Sequence, residues 1–400
     1  MARDLLFEIG VEEIPASYIL PALAQLARSL ERDLTAARLS FESTRTLATP
    51  RRMTVIVKGV ADAQTSETRT VTGPPAGVAF GDDGVPTKAA TGFARSQGVD
   101  VAALAVVDNY VQVEVTDEGG PAVDVLPQLL AAAADTLTFP KTMKWGPERR
   151  FARPIRWLVA MLGNDVLDLT YAGVQGGNLT RGLRVWSPGP HEVEGADAYE
   201  ELLRDNYVIA DHEKRKSIIA EQALRIAGEC GGRLVEDTEL LDEVTFLTEY
   251  PTICAGRLDE RFLELPRDVV VAAMKSHQRY FAVESVGGTL LPHFLCVVNA
   301  PKENHDIIRE GNERVLESRL DDAEFYWQED TGSSLESKVE RLKDVVWLEG
   351  VGSLHEKTER LESLAGYVAR VVAPDALDTA VRAARLAKAD LVTEMVRDGK

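Results

Sequence analysis

The pattern of apolar residues changes once along this 400-residue chain, and that change limits the folds it can adopt. Up to about residue 299, short runs rich in β-branched residues alternate with helical periodicities, whereas from residue 304 onward apolar residues recur only at helical spacing. The sequence therefore predicts an α+β protein in which a mixed region precedes an all-helical one. Two sets of residues in the helical part follow the spacing i, i+4, i+7, i+11: Leu316, Leu320, Ala323 and Trp327, and Leu335, Val339, Leu342 and Val346.

The mixed region divides further. Strands over 5–9, 44–47 and 53–60 surround an amphipathic helix and predict a β-α-β-β opening. Residues 66–137 form a separate small unit, with a turn at Asp82-Asp83-Gly84 and an Ala/Leu-rich helix that closes it near Leu137. We predict three parts: 1–65 with 138–300 as one mixed domain, 66–137 as an inserted module, and 301–400 as a helical region.

Basic residues are concentrated locally in a chain whose net charge is −19. Eight Lys and Arg residues and only three acidic residues lie in 141–190. Six of the eight lie in Phe139–Trp157, FPKTMKWGPERRFARPIRW, which we call the basic–aromatic tract. Guanidinium groups and exposed rings suit phosphates and unstacked bases, so the tract indicates a nucleic-acid partner. The alternative is a solvated basic loop with its rings in the core, and in this strand-rich segment we expect Trp145 and Trp157 to be core residues.

Other patterns exclude several classes of function. The three cysteines are far apart and form no CxxC pair, which predicts a reducing, cytoplasmic location. The N-terminus shows no apolar signal segment, and no apolar run approaches the length of a membrane span. The chain lacks the GxxxxGK[ST], HExxH, GxSxG and GxGxxG motifs, and its six histidines show no metal-ligand spacing. We therefore predict no catalytic site and no metal site in this chain.

Seven blocks of the sequence occur in order from one end of the chain to the other. They are LFEIGVEEIP at 6–15, TPRRM at 49–53, KAATGFA at 88–94, the basic–aromatic tract, MKSHQRYF at 274–281, GNERVL at 311–316 and AEFYW at 323–327. Taken together, these blocks resemble the β subunit of bacterial heterotetrameric glycyl-tRNA synthetase, and the ordered set makes the resemblance specific.

The resemblance implies a division of labour within an α2β2 heterotetramer. The α subunit would bind ATP, with Mg, and glycine, whereas this chain would bind no cofactor and would hold tRNA(Gly) for glycylation at the α active site. It would thus be a non-catalytic subunit of glycine–tRNA ligase. The mixed region would be similar to the tRNA-binding and editing-type region of the phenylalanyl-tRNA synthetase β chain, and the helical region would begin an HD-like domain. The family continues to an anticodon-binding domain, so we expect this chain to be truncated.

Three basic clusters supply the residues that we expect to face tRNA. Two alternatives stay open: a protein-interaction scaffold for assembly with the α subunit, and an editing hydrolase acting on mischarged tRNA. Leu183 stands where relatives commonly carry histidine, which argues against the hydrolase. The candidates are Arg51, Arg52, Lys141, Lys144, Arg149, Arg150, Arg153, Arg156, Lys275 and Arg279.

Overall fold

The computed structural model describes residues 2–81, 84–145 and 149–398 of a mixed α+β protein, which confirms the predicted α+β class. The region from residue 301 onward is not all-helical as predicted, because residues 346–348 and 352–353 form a pair of strands. The chain forms two compact units. The first unit comprises Met1–Ile218 and Asp242–Pro251, and the second comprises Ile219–Leu241 and Thr252–Lys400. The predicted turn at 82–84 lies outside the described residues except for its last position.

Most strands belong to the first unit. They are β1 (Arg3–Val11), β2 (Ser43–Thr49), β3 (Arg52–Val60), β4 (Glu67–Pro75), β5 (Ala105–Val107), β6 (Tyr110–Asp117), β7 (Met143–Lys144), β8 (Arg150–Phe151), β9 (Ile155–Leu162), β10 (Asp165–Val166), β11 (Thr170–Tyr171), β12 (Val174–Gly177), β13 (Leu179–Thr180) and β14 (His191–Glu192). Those that follow are β15 (Arg233–Leu234), β16 (Pro251–Arg257), β17 (Phe281–Glu284), β18 (Leu290–Asn299), β19 (Val346–Leu348) and β20 (Gly352–Ser353).

The helices occur along the whole chain. They are α1 (Ala16–Ala36), α2 (Ala76–Ala79), α3 (Lys88–Gln97), α4 (Ala122–Asp135), α5 (Tyr199–Asp205), α6 (His212–Glu229), α7 (Thr238–Thr245), α8 (Arg267–Gln278), α9 (His305–Thr331), α10 (Leu335–Lys338), α11 (Leu354–Val372), α12 (Leu377–Leu386) and α13 (Glu394–Asp398). Strands β1, β2 and β3 confirm the three strands predicted for the opening segment.

The first unit is built on a seven-stranded sheet whose central strand, β1, is buried on both faces. The strand order is β11-β12-β9-β1-β3-β2, with β10 paired to β9, and β1 is antiparallel to both of its neighbours. Successive residues of a strand point to opposite faces. Leu5, Phe7 and Ile9 therefore join a core with α1 and α4, whereas Leu6 joins a second core with Tyr199 of α5.

The segment predicted as an inserted module contains a small sheet of its own, in the order β4-β6-β5. Ala79, Ala90 and Val111 form its core. Helix α4, which was expected to close this module, packs instead against α1, because Leu126 and Leu130 lie one turn apart on the face that enters the main core. The separate part of this segment therefore extends only as far as β6 and does not include α4.

The second unit combines a four-stranded sheet, in the order β15-β17-β18-β16, with long helices. One core joins Phe294 of the sheet to Met274 of α8 and to Leu316 and Leu320 of α9. Because this core ties the strands after Thr252 to α9, the compact units do not divide at residue 300, where we had placed the start of the helical region. The helix predicted around Leu316 and Leu320 is confirmed by α9.

The second periodic set of the helical region does not form the single helix that its spacing predicts. The chain forms the one-turn helix α10, a 3-10 helix over Val339–Asp344, and then strand β19, which pairs with β20. Val339 and Leu342 are still buried, whereas Val346 is exposed in the strand. Two short helical turns reproduce the apolar spacing of one helix, and the β-branched pair Val345-Val346 then favours an extended chain.

Candidate nucleic-acid interface

The basic–aromatic tract borders an open cleft in the first unit. The cleft has a volume of about 520 Å³, and Trp145, Arg149, Phe151, Arg156 and Tyr171 contribute to its walls. The hairpin of β7 and β8 shapes one side, with Met143 opposite Phe151 in its register. Residues 146–148 of the tract lie outside the described residues. The described part of the tract thus combines cations and rings around one concave surface.

The two tryptophans of the tract have different surroundings. Trp157 is buried at 7% exposure, and its indole Nε1 donates a hydrogen bond of 2.5 Å to Glu8 Oε1, so its prediction as a core residue is confirmed. Trp145 is 43% exposed, so its prediction as a core residue is wrong. Its Nε1 donates to the carbonyl oxygen of Phe151 at 3.1 Å, which orients the ring across the hairpin while leaving its surface in solvent.

Three cations of the tract are exposed and have no carboxylate partner among the described residues: Lys141, Lys144 and Arg150. The Arg150 side chain donates from Nε to Thr142 Oγ1 at 3.1 Å and from Nη2 to Thr142 O at 3.0 Å. Since both contacts are with neutral oxygens, they orient the guanidinium without neutralising it. These three side chains form the part of the tract that is most available to an anion.

The other three arginines of the tract already interact with neighbouring groups. Arg149 pairs with Asp135, and its guanidinium lies 4.5 Å from the centre of the Tyr171 ring. Arg156 Nε lies 3.4 Å from a carboxylate oxygen of Glu12.

Arg153, the remaining one, donates from Nε to the carbonyl oxygen of Glu13 at 3.0 Å. Tyr171, which sequence reasoning missed, joins the cleft from a two-residue strand, and nothing in its sequence context signals that position.

Arg51 and Arg52, which we expected to face tRNA, are buried, and this corrects their predicted placement. Arg52 has no solvent exposure, and Arg51 is only 8% exposed. Both guanidinium groups reach Glu249, from Arg51 Nη1 at 3.2 Å and from Arg52 Nη2 at 3.1 Å, and both lie 5.6 Å from the centre of the Trp157 ring. Their positive charges are balanced by partners inside the protein, because a buried cation must have charged or hydrogen-bonding partners.

Two buried carboxylates hold this internal network together. Glu8 Oε1 lies 3.7 Å from Arg52 Nη1, and Glu8 Oε2 accepts a hydrogen bond of 2.8 Å from Thr180 Oγ1. Thr49 Oγ1 donates to Glu249 Oε1 at 2.7 Å. Burial by itself would lower the pKa of Arg52, but the charges of Glu249 and Glu8 outweigh it and raise that pKa, so the guanidinium stays charged.

Lys275 and Arg279 lie in the second unit, at the end of α8. Lys275 Nζ lies 2.8 Å from Asp237 and 3.2 Å from Glu239, and the hydrogen bond to Asp237 raises its pKa most. Arg279 ends the helix in the left-handed region, at φ 55°, and donates to the carbonyl oxygen of Ser276 at 2.5 Å. Both cations therefore have partners within their own unit.

The described residues contain neither a metal-binding cluster nor a membrane-spanning helix. Within residues 2–81, 84–145 and 149–398, no group of three or more His, Cys, Asp or Glu side chains is placed to hold a metal ion. In the same ranges, no helix has both the length and the apolar character needed to cross a membrane.

The sequence matches the family model of the glycyl-tRNA synthetase beta subunit over residues 5–398. The chain belongs to this family. The resemblance of the ordered blocks to the glycyl-tRNA synthetase beta subunit is therefore confirmed.

Similar proteins carry the same family name. The chain is 46% identical to the glycine–tRNA ligase beta subunit of Moorella thermoacetica, 41% identical to that of Syntrophotalea carbinolica and 40% identical to that of Halothermothrix orenii. These matches cover 99%, 99% and 100% of this chain and 58% of each relative. The chain thus spans somewhat more than half the length of the glycyl-tRNA synthetase beta subunits that it matches.

The structure places Leu183, the residue that argues against a hydrolase, in the interior of the first unit. Its side chain is 3% exposed and belongs to the core that contains Trp157, Val159 and Tyr199. An aliphatic residue in that core offers no group that could activate a water molecule or hold a proton. Leu183 is therefore a packing residue in this member of the glycyl-tRNA synthetase beta subunit family.

Proposed function

We propose that this chain is the tRNA-holding part of a glycine–tRNA ligase beta subunit, and that the basic–aromatic tract meets tRNA(Gly). The observation that carries the proposal is a set of exposed cations that have no carboxylate partner in the part of the chain that the structure describes, beside an exposed Trp145 in a chain of net charge −19: Lys141, Lys144 and Arg150. A negatively charged protein repels nucleic acid overall, so binding must depend on such a patch.

The proposed role is to position tRNA rather than to react with it. Lysine and arginine contacts to phosphates supply affinity and orientation, and the Trp145 ring offers a stacking surface for an unpaired base. ATP, with Mg, and glycine would be bound by an α subunit in an α2β2 assembly. Holding the tRNA end in a reactive orientation lowers the barrier by removing the entropy cost of a random encounter.

We also propose two fold relationships that go with this role. The mixed region would be similar to the tRNA-binding and editing-type region of the phenylalanyl-tRNA synthetase β chain, and the helical region would be the start of an HD-like domain. Internal packing of Leu183 supports a holding role over hydrolysis of mischarged tRNA.

The test replaces Lys141, Lys144 and Arg150 together by glutamine and measures tRNA(Gly) binding over a series of salt concentrations. Each phosphate contact contributes about 0.9 to the slope of log K against log salt, so losing three contacts should flatten the slope by about 2–3. The matched control replaces three exposed arginines elsewhere, Arg225, Arg360 and Arg370, and should bind as the unchanged chain does. An unchanged slope in the tract variant would reject the proposal.

A second candidate function, assembly with the α subunit, is favoured by an exposed apolar face on α11. The relatives' names describe a beta subunit, which implies a partner subunit. If that partner covers this face, a Val371→Lys variant should lose co-elution with the α subunit while a Val286→Lys variant, changed in an exposed loop, keeps it. The face consists of Leu364, Tyr367, Val368, Val371 and Val372, which are 60%, 69%, 53%, 72% and 77% exposed.

A further inference from the structure

A second cleft lies wholly within the second unit, beside the seam where α8 packs against α9. Its volume is about 230 Å³. Ala272 and Ala273 of α8 and Ala323 of α9 contribute to its lining. Because these side chains end at Cβ, they leave a shallow apolar hollow next to the seam filled by Met274 and Leu320. This volume is below the range of ~300–1,000 Å³ typical of sites for drug-sized molecules, so the hollow suits one small planar group.

The rest of the lining is mostly polar and includes the rings of His277 and Tyr326. Ser276 and His277 come from the last turn of α8, and Arg319, Asp322 and Tyr326 come from α9. The side chains of Ser276, His277, Arg319 and Asp322 form no hydrogen bond or ion pair with any other residue that the structure describes. A cation, an anion and two further polar side chains therefore line one hollow without pairing with one another.

The lack of pairing between Arg319 and Asp322 is notable because their spacing permits it. They lie three residues apart on α9, a separation at which opposite charges commonly pair. The neighbouring carboxylates Asp321 and Glu324 behave differently, since both pair with Arg261. Acidic residues beside the cleft are thus neutralised within the protein, whereas the one that lines it is available to a ligand.

We propose that this cleft binds a single nucleotide whose base carries an exocyclic amino group. The base would lie in the alanine-lined hollow beside the Tyr326 ring, because stacking and small-residue contact accept any planar base. The Asp322 carboxylate can only accept hydrogen bonds. Adenine, cytosine and guanine each offer it an amino group with two N–H donors, whereas uracil offers only its ring N3–H, so the carboxylate favours the amino-bearing bases. Arg319, with a donor from His277 or Ser276, would hold the phosphate.

This ligand chemistry has two possible sources. One is a free mononucleotide, and the other is an unpaired nucleotide of an RNA chain. The RNA source rests on the proposed function of the whole chain, whereas the mononucleotide source does not. The two sources are separated by the two arms of the experiment.

In the first arm, AMP, CMP, GMP and UMP are titrated into the whole chain and binding is followed by ligand-observed NMR. We expect AMP, CMP or GMP to bind more tightly than UMP. Ala323→Leu, which fills the hollow, and Arg319→Gln, which removes the phosphate donor, should each weaken binding by about 10-fold. Arg314→Gln, an exposed change on the same helix outside the cleft lining, is the control and should bind normally.

Asp322→Asn provides the specificity test, because an amide both donates and accepts. It should reduce the preference for amino-bearing bases over UMP while keeping phosphate-dependent binding.

In the second arm, tRNA binding by Ala323→Leu is compared with that of the unchanged chain. A loss that disappears when the unpaired 3′ nucleotides are removed from the tRNA assigns the cleft to the RNA end. Mononucleotide binding without any tRNA effect assigns it to a free nucleotide. If no nucleotide binds in either arm, or if Ala323→Leu binds as well as the unchanged chain, the inference is wrong. The proposed role of the basic–aromatic tract is judged separately by its salt slope.

Discussion

Gly10 and Trp157 face each other across strands β1 and β9 with no space for another side chain between them. They are register partners, and a Cβ built on Gly10 would lie 2.0 Å from Cδ2 and Cε2 of the indole. The same indole donates its hydrogen bond to Glu8, so the ring cannot turn away without breaking that contact. Gly10, in the block LFEIGVEEIP, is therefore required for the packing of Trp157, the last residue of the basic–aromatic tract.

We predict that Gly10→Ala destabilises the protein by about 1–3 kcal/mol, because the added methyl group overpacks a rigid ring. Urea unfolding checks this change in free energy. Gly311→Ala is the matched control. Gly311 lies inside α9, and a Cβ built there meets nothing beyond its own helix within 4 Å, so alanine there should stabilise the helix by about 0.5–1 kcal/mol. Equal effects of the two substitutions would contradict the close packing at Gly10.

The buried network gives a second prediction, which separates structural from RNA-facing arginines. Arg52→Leu leaves Glu8 and Glu249 without their main cation, so we expect a loss of about 3–5 kcal/mol in the free energy of unfolding. Arg150→Leu, at an exposed cation, should stay within about 0.5 kcal/mol of the unchanged chain. Chemical denaturation measures both. If Arg52→Leu were as stable as Arg150→Leu, the network would not hold the unit together.

The sequence predicts the positions of helices and strands better than it predicts which side chains are exposed. The strand periods of β1 and β3 and the helical period of α9 are local properties, and the structure contains them. The burial of Arg52 could not be read locally, because its partner Glu249 lies 197 residues away in the chain. A basic pair entering a strand looks the same whether its charge faces solvent or an interior carboxylate.

The same dependence on distant contacts explains why the prediction of a core position is right for Trp157 and wrong for Trp145. Trp157 lies within the eight-residue strand β9, where burial follows from sheet packing, and its prediction as a core residue holds. Trp145 follows a strand of two residues at the edge of a hairpin, where no periodicity can form. Its exposure is decided by the hairpin's position beside the cleft, and that position depends on tertiary contacts.

The pH dependence of the second unit provides a third prediction, centred on Asp330. Its carboxylate accepts hydrogen bonds of 2.9 Å from the backbone N–H groups of both Glu394 and Met395, and Lys338 Nζ lies 3.1 Å away. Burial raises the pKa of Asp330, but these hydrogen bonds, first those from the backbone and then that from Lys338, lower it to a value below the ordinary one.

A carboxyl group whose pKa is lower in the folded state stabilises the protein above its unfolded pKa, and this stabilisation is lost as pH falls through the folded value. We therefore expect Asp330→Asn to lower the free energy of unfolding by about 1–3 kcal/mol at neutral pH. The difference from the unchanged chain should shrink below about pH 4. Asp378→Asn, at an exposed position, is the control and should change the free energy of unfolding at neutral pH by no more than about 0.5 kcal/mol.

The Trp145 ring supplies the last prediction, because its contribution to tRNA binding can be separated from that of charge. If its exposed face stacks on an unpaired base, Trp145→Ala should weaken tRNA(Gly) binding by about 1–3 kcal/mol, and Trp145→Phe should retain most of the affinity. The slope of log K against log salt should stay unchanged in both variants, since an indole neutralises no phosphate. Trp347→Ala, which removes a ring of similar exposure (49%) in the second unit, is the control and should bind normally. Unchanged affinity of Trp145→Ala would show that the ring makes no contact with tRNA, while a loss accompanied by a flatter salt slope would show that the substitution disturbs the neighbouring cations instead.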